Sequence, residues 1–298
     1  MLKKMIRGCY LLFGLCLLAA LSACGGSSSA DGTLNLSLTD TPVDGATSVV
    51  VAFTGVELMG SGGMTSFILP SEQSIDLLKY QGNASAVLLS GVSVPAGDYQ
   101  WIRLDIDAAN SYLITSSGGK FPLDIPSSSQ SGLKLVSGFT VAQGGTADFT
   151  IDFDLRRSLT LDNAGGTATY ALKPALRLID MQQVGSVKGT VAATLSIGGT
   201  LITAAACSPA VYVYTGTGIV PQGYNVMVSG GTSPLASATV SLDDATGEYT
   251  YTVGFLAPGT YTLAVTCAAS DTSGSASLAF SVGKTAAVTA DTTTTVDF

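Results

Sequence analysis

Histidine is absent from all 298 residues. Ser-His-Asp and Cys-His catalysis, His-ligated zinc and facial-triad iron are thereby excluded. Carboxylate-pair hydrolysis and serine–lysine chemistry keep their residue types. Charge is scarce as well: charged side chains make up 11% of the chain, with 13 Lys and Arg against 21 Asp and Glu. That balance disfavours nucleic acid, whose phosphates need clustered cations. Long apolar runs are missing too. The best of them, Tyr10 to Leu21, is too short to span a bilayer as a stable helix. Beyond it no stretch carries a convincing 3.6-residue period.

What remains is apolar, small and turn-rich. Hydrophobic residues reach 46% and glycine numbers 35, with many Thr, Ser, Val and Ala. Short apolar runs between glycines fit an all-β extracellular protein of one or two domains. Lys3, Lys4 and Arg7 precede the Tyr10–Leu21 core, the layout of an export signal. The core ends in "LSAC", Leu21 to Cys24, which resembles a bacterial lipobox. That resemblance implies cleavage before Cys24 and acylation of its thiol, so the partner at this end is a membrane, reached through the N-terminal lipid. Gly25 follows the cysteine, and the sorting rule of such lipoproteins then implies the outer membrane of a bacterial cell envelope. Cleavage removes three basic residues and no acidic ones, so 10 − 21 leaves a formal charge of −11.

Cysteine use is consistent with that route. Cys9 and Cys16 leave with the signal and Cys24 takes the lipid, which leaves Cys207 and Cys267. One pair in an oxidising compartment reads as a disulfide, with two separate buried thiols as the alternative. Two cysteines without histidine make a poor zinc set, and no cofactor is expected.

Residues 1–23 are therefore read as a signal peptide and 24–32 as a flexible tether, "GGSSSADG" being its body. Strand-like runs follow, among them "TLNLSLT" (33–39), "SVVVAFTGVELM" (48–59), "DYQWIRLDIDA" (98–108), "TADFTIDFDL" (146–155) and "ALRLIDM" (175–181). A short helical turn is expected around "SIDLLKYQ". Near "MQQVGSVKG" the composition shifts to fewer charges and more Thr, Gly and Ala. About seven short strands after that point have the density of a β-sandwich. The expected organisation is two β-sandwich-like domains in tandem, 33–183 and 185–298. "VPAGDYQ" (94–100) and "LAPGTYT" (256–262) echo one another, each placing a tyrosine just after a Pro-Gly turn.

The first half resembles the bacterial family known as domain of unknown function 4382. The carriers are "LSLTDTPVDG" (36–45), "VVVAFTGVEL" (49–58), "IDLLKYQG" (75–82), "PAGDYQWIRL" (95–104), "PSSSQSGLKL" (126–135), "IDFDLRRS" (151–158) and "YALKPALR" (170–177), in order. The family usually has Ala where Thr41 stands. The resemblance implies a secreted, often lipid-anchored β-rich domain and no particular activity. The second half, through "DDATGEYTYTVGFLAPGTYTLAV", resembles carboxypeptidase-regulatory-like and carbohydrate-binding-like sandwiches. Such modules imply passive appendages, stalks or glycan binders.

"ADFTIDFDLRRS" is the most site-like stretch. Asp148, Asp152 and Asp154 share one parity while Phe149, Ile151 and Phe153 share the other. Period 2 sends the sets to opposite faces, and the spacing favours a solvated carboxylate face. A hard-cation site is the second reading, although it needs six to eight converging oxygens; an acid pair is the third. In "TDTPVDG", Asp40 and Asp44 read as local caps of a strand exit, with ion ligation as the alternative. Tyr212 with Tyr214, and Tyr249 with Tyr251, form same-face pairs that stack on a sugar if exposed or stabilise the sheet if buried. The expected function is a non-enzymatic structural, adhesive or binding module, whose partner is a glycan or an envelope protein. A carbohydrate-binding lipoprotein is the alternative, and an acid-pair hydrolase a distant one.

Overall fold

A computed structural model describes residues 31–298 apart from 42, 44, 126–131, 163–168, 174, 225–231 and 268–277. Cys24, Asp44 and the signal region lie outside the described residues. The architecture is all-β. Among the described residues no helix is long and apolar enough to cross a membrane.

The first half runs through β1 (Asp31–Thr41), β2 (Ala46–Gly60), β3 (Gly63–Asp76), β4 (Ala86–Pro95), β5 (Gly97–Thr115) and β6 (Lys120–Asp124). It continues with β7 (Leu133–Leu135), β8 (Phe139–Val141), β9 (Thr146–Asp154), the one-turn helix α1 (Leu155–Ser158), β10 (Leu159–Asp162), β11 (Thr169–Leu172) and β12 (Leu176–Asp180). The helical turn expected after β3 is a single 3-10 turn at Leu77–Lys79. One sheet has the order β12-β9-β1-β4; the other runs β10-β11-β6-β5-β2-β3, with β7 and β8 also on β5.

Alternation explains how the two sheets face each other. Leu34, Leu36 and Leu38 of β1 and Ile151 and Phe153 of β9 are fully buried, and so are Val49, Val51 and Phe53 of β2 and Ile102 and Leu104 of β5. They form one core, in which Phe53 meets Phe153 edge-on at 6.2 Å. β1 pairs antiparallel with β4 and parallel with β9, from Thr33↔Thr146 to Thr41↔Asp154. The strand takes in Asp31 and Gly32, the last two residues of the segment read as tether. Gly32 fits because it has no side chain: a Cβ there would lie 2.4 Å from Val141 and 2.6 Å from the Ala142 carbonyl oxygen.

The second half contains β13 (Gly185–Val191), β14 (Thr194–Ile197), β15 (Thr200–Thr203), β16 (Ala210–Thr215) and β17 (Ala236–Thr239). Next come β18 (Ser241–Leu242), β19 (Tyr249–Leu256), β20 (Gly259–Thr266), β21 (Lys284–Val288) and β22 (Thr293–Thr295). Two four-stranded sheets, β18-β19-β13-β22 and β17-β16-β20-β21, enclose a second core of Val187, Val211, Val213, Val253, Leu263 and Val265. β14 and β15 form a separate hairpin. A disulfide joins Cys207 to Cys267, with Cα atoms 5.4 Å apart.

The two Pro-Gly-Tyr turns have the same geometry. Tyr99 Oη donates to the Pro95 carbonyl and Tyr261 Oη to the Ala257 carbonyl, each at 2.7 Å and each four residues back. Both rings are buried, so each hydroxyl ties a turn to the strand that leaves it.

Candidate functional site

β9 obeys its alternation, but its polar face is not wet. Thr150 is 1% exposed, Asp152 4% and Asp154 7%. The solvated-face expectation fails because the second half of the chain packs over that face. Thr39, Asp152 and Arg177 stand in one row across β1, β9 and β12. Arg177 Nη2 donates to Asp152 Oδ2 at 2.9 Å, and Thr39 Oγ1 donates to the Tyr80 and Ala84 carbonyls. The row lines a cavity of about 20 Å³ closed by Ala236, Ser237 and the Thr252–Phe255 segment of β19.

α1 extends the junction. Asp154 is its N-cap and accepts from the Arg157 backbone N–H at 3.3 Å. One turn is enough to swing Arg156 inward, where it is 4% exposed. Arg156 Nη1 donates to Tyr212 Oη at 2.8 Å, and the guanidinium lies 5.4 Å from that ring's centroid. Tyr212 in turn packs on Tyr224 and Phe280 at 5.3 and 5.5 Å. The Leu155 backbone N–H donates to Asp40 Oδ1 at 3.4 Å. Asp40 is thus buried and bonded to a segment 115 residues away.

Burial pushes the Asp154 carboxyl up to about 7, and the neighbouring Asp152 charge adds to the effect. The Arg157 amide and the Arg157 and Arg156 charges oppose it. Burial likewise raises the Tyr224 phenol well above its ordinary range, with the Asp154 charge contributing.

Backbones also meet at this junction. A Cβ on Gly254 would lie 2.2 Å from Asn83 Oδ1 and 2.3 Å from the Gly82 carbonyl oxygen. The next residue, Phe255, is held at φ 55°, a left-handed conformation that a bulky side chain rarely adopts.

The three aspartates do not converge on a cation. Asp148 accepts from Asn35, Asp152 is paired with Arg177 and Asp154 caps α1. Among the described residues no group of three or more Cys, Asp and Glu is placed to hold a metal. The cavity at Asp152 itself is small: about 20 Å³ admits a water, whereas ligand pockets run to roughly 300–1,000 Å³.

The Tyr212–Tyr214 platform is closed as well. Tyr212 and Tyr214 are fully buried under the Gly216–Tyr224 segment, where Tyr214 Oη donates to the Gln222 carbonyl and accepts from its N–H. Tyr251 is 3% exposed and donates to the Val296 carbonyl; Tyr249 packs on the second core. Tyr212, Tyr214 and Tyr251 are buried because both faces of β16 and the inner face of β19 are covered, while Tyr249 is half-buried. "AVYVYT" carried the signal: an unbroken apolar run marks a strand buried on both sides. Arg156, Arg177, Tyr224 and Ser237 had no such signal.

Fold and junction together define a two-part all-β protein whose halves meet through a buried polar seam. Residues 31–174 match the family described as Domain of unknown function (DUF4382). No curated protein matches the chain. Solved structures overlay only distantly. A leucine-rich repeat protein from Bacteroides thetaiotaomicron shares 15% identity over 90% of this chain and 26% of its own, with TM-score 0.23. CBMbc (family CBM26) from Eubacterium rectale, in complex with maltoheptaose, shares 10% over 89% and 92%, with TM-score 0.21. The fimbrial anchor protein Mfa2 from Porphyromonas gingivalis shares 11% over 79% and 78%, with TM-score 0.19. At these TM-scores the likeness carries no argument about function.

Proposed function

We propose that the chain is a non-enzymatic structural or adhesive module of the bacterial envelope, in which the two halves dock into one rigid body behind a lipid anchor. The observation that carries this reading is the seam itself. Of the residues most suggestive of chemistry, Arg156 bonds across the seam to Tyr212, while beneath it Asp152 is paired with Arg177 and Asp154 caps α1. A surface for a glycan or an envelope protein then lies elsewhere than on Tyr212, Tyr214 or Tyr251.

A wedge tests the docking. Gly254→Ala drives a methyl into the Gly82 carbonyl, and overpacking of this kind costs about 1–3 kcal/mol. The parent chain should unfold in one transition; the variant should show two and a larger radius of gyration by X-ray scattering. Two independent transitions in the parent would refute the rigid-body reading. The anchor is tested separately at Cys24. Cys24→Ala should abolish acyl labelling and release the protein from membranes, and unchanged labelling would dismiss the lipobox.

A further inference from the structure

Among the described residues the seam brings together five charged side chains. Asp40, Asp152, Asp154 and Arg156 are each at most 7% exposed, and Arg177 is paired with Asp152. Three carboxylates thus face two guanidiniums. Arg157, the remaining cation at α1, is exposed. The residues of 31–298 outside the described set include no Lys or Arg, so they hold no further cation. Taking a bare charge out of water without a partner is expensive, and such a group neutralises instead.

We propose that the docked junction binds one proton at the Asp154 carboxyl and that docking is thereby coupled to pH, tight in mild acid and looser above neutrality. The groups around Asp154 explain why it is the acceptor. Asp152 precedes it on β9 but has Arg177 of β12 as partner, and Asp40 of β1 receives the Leu155 N–H. Arg156 is directed past it to Tyr212 of β16. From the second half the Tyr224 hydroxyl also faces it, with Ser237 alongside, and neither supplies a positive charge. Burial and the Asp152 charge both favour the protonated form, against the Arg157 amide and the Arg157 and Arg156 charges.

The sign follows from linkage. Docked, Asp154 keeps its proton to about pH 7; released into water, it loses it near the ordinary value of about 4. Between those limits the docked state holds one proton more, so stability falls as pH rises and levels off above about 7. With no histidine in the chain, few other groups titrate there. Burial also raises Asp105 on the outer sheet face, so the comparison must be made against an Asp154 variant.

The inference rests on the docked arrangement proposed above, and one experiment separates the two. The full chain, purified in detergent, is melted from pH 5 to pH 8.5 beside Asp154→Asn, which keeps the capping oxygen but cannot ionise. The parent Tm should fall by about 5 °C between pH 5 and 7.5, and the variant profile should be flat. Arg156→Gln, which removes an opposing charge, should move the parent's midpoint to higher pH. Parallel profiles for parent and Asp154→Asn, or an unmoved Arg156→Gln midpoint, would overturn the proton site while leaving docking intact. Two separate transitions at every pH would overturn both readings.

Discussion

Gly189→Ala is expected to remove about 5 kcal/mol from the second half of the protein. A Cβ at this position would lie 1.9 Å from the Val296 carbonyl oxygen and 2.6 Å from its carbon, both backbone atoms that cannot rotate away. The segment after β22 must therefore leave β13. Three backbone hydrogen bonds go with it: Val296 N–H to Lys188, Phe298 N–H to Thr190 and Ala192 N–H to Phe298. At about 1 kcal/mol each, plus about 2 for the buried Val296 side chain, the sum is about 5. Tyr251 Oη loses its acceptor in the same step. At about 2–4 °C per kcal/mol, the melting temperature should drop by roughly 10–20 °C. A change of under about 2 °C would mean that the segment is not held as described.

Loss of the Cys207–Cys267 disulfide should be nearly as damaging. The bond closes a loop of 60 residues between the end of the β14–β15 hairpin region and the end of β20. In the chain-entropy model a closure of that length is worth about 4 kcal/mol, exerted on the unfolded ensemble. A Cys207→Ser, Cys267→Ser double variant should melt roughly 8–16 °C lower and more readily admit protease. The parent, denatured without reductant, should show no free thiol from this pair. Two titratable thiols, or an unchanged melt in the double variant, would contradict the assignment.

Local physics was legible in the sequence; what covers a face was not. "LNLSL" alternates strictly, and Leu34, Leu36 and Leu38 point into the core as that pattern demands. The Pro-Gly-Tyr echo announced two turns of one design, and both tyrosines bond four residues back. β9 alternates just as clearly, yet Asp152 and Asp154 are buried, because Ala236, Ser237 and Thr252–Phe255 arrive from some 80 to 100 positions downstream. Alternation assigns side chains to faces but does not say whether water reaches them. α1, with four residues, is too short to leave a periodic trace, so nothing marked Arg156 as inward. Two-sided burial of "AVYVYT" was the readable exception, since a strand with one wet face would have shown polar residues at every second place.

The pairing of β1 with β9 has a consequence for the growing chain. Asn35 finds its partner Asp148 only after 113 further residues have been made. At about 5–20 residues per second that is roughly 5–25 s of synthesis. β4 can cover one edge of β1 earlier, but the other edge stays open until Thr146–Asp154 emerges, with the "LNLSL" leucines beside it. An unpaired apolar strand is a template for joining a neighbouring chain. Whatever receives this polypeptide from the ribosome must therefore keep its earliest strand apart from its siblings while half the chain is still being written.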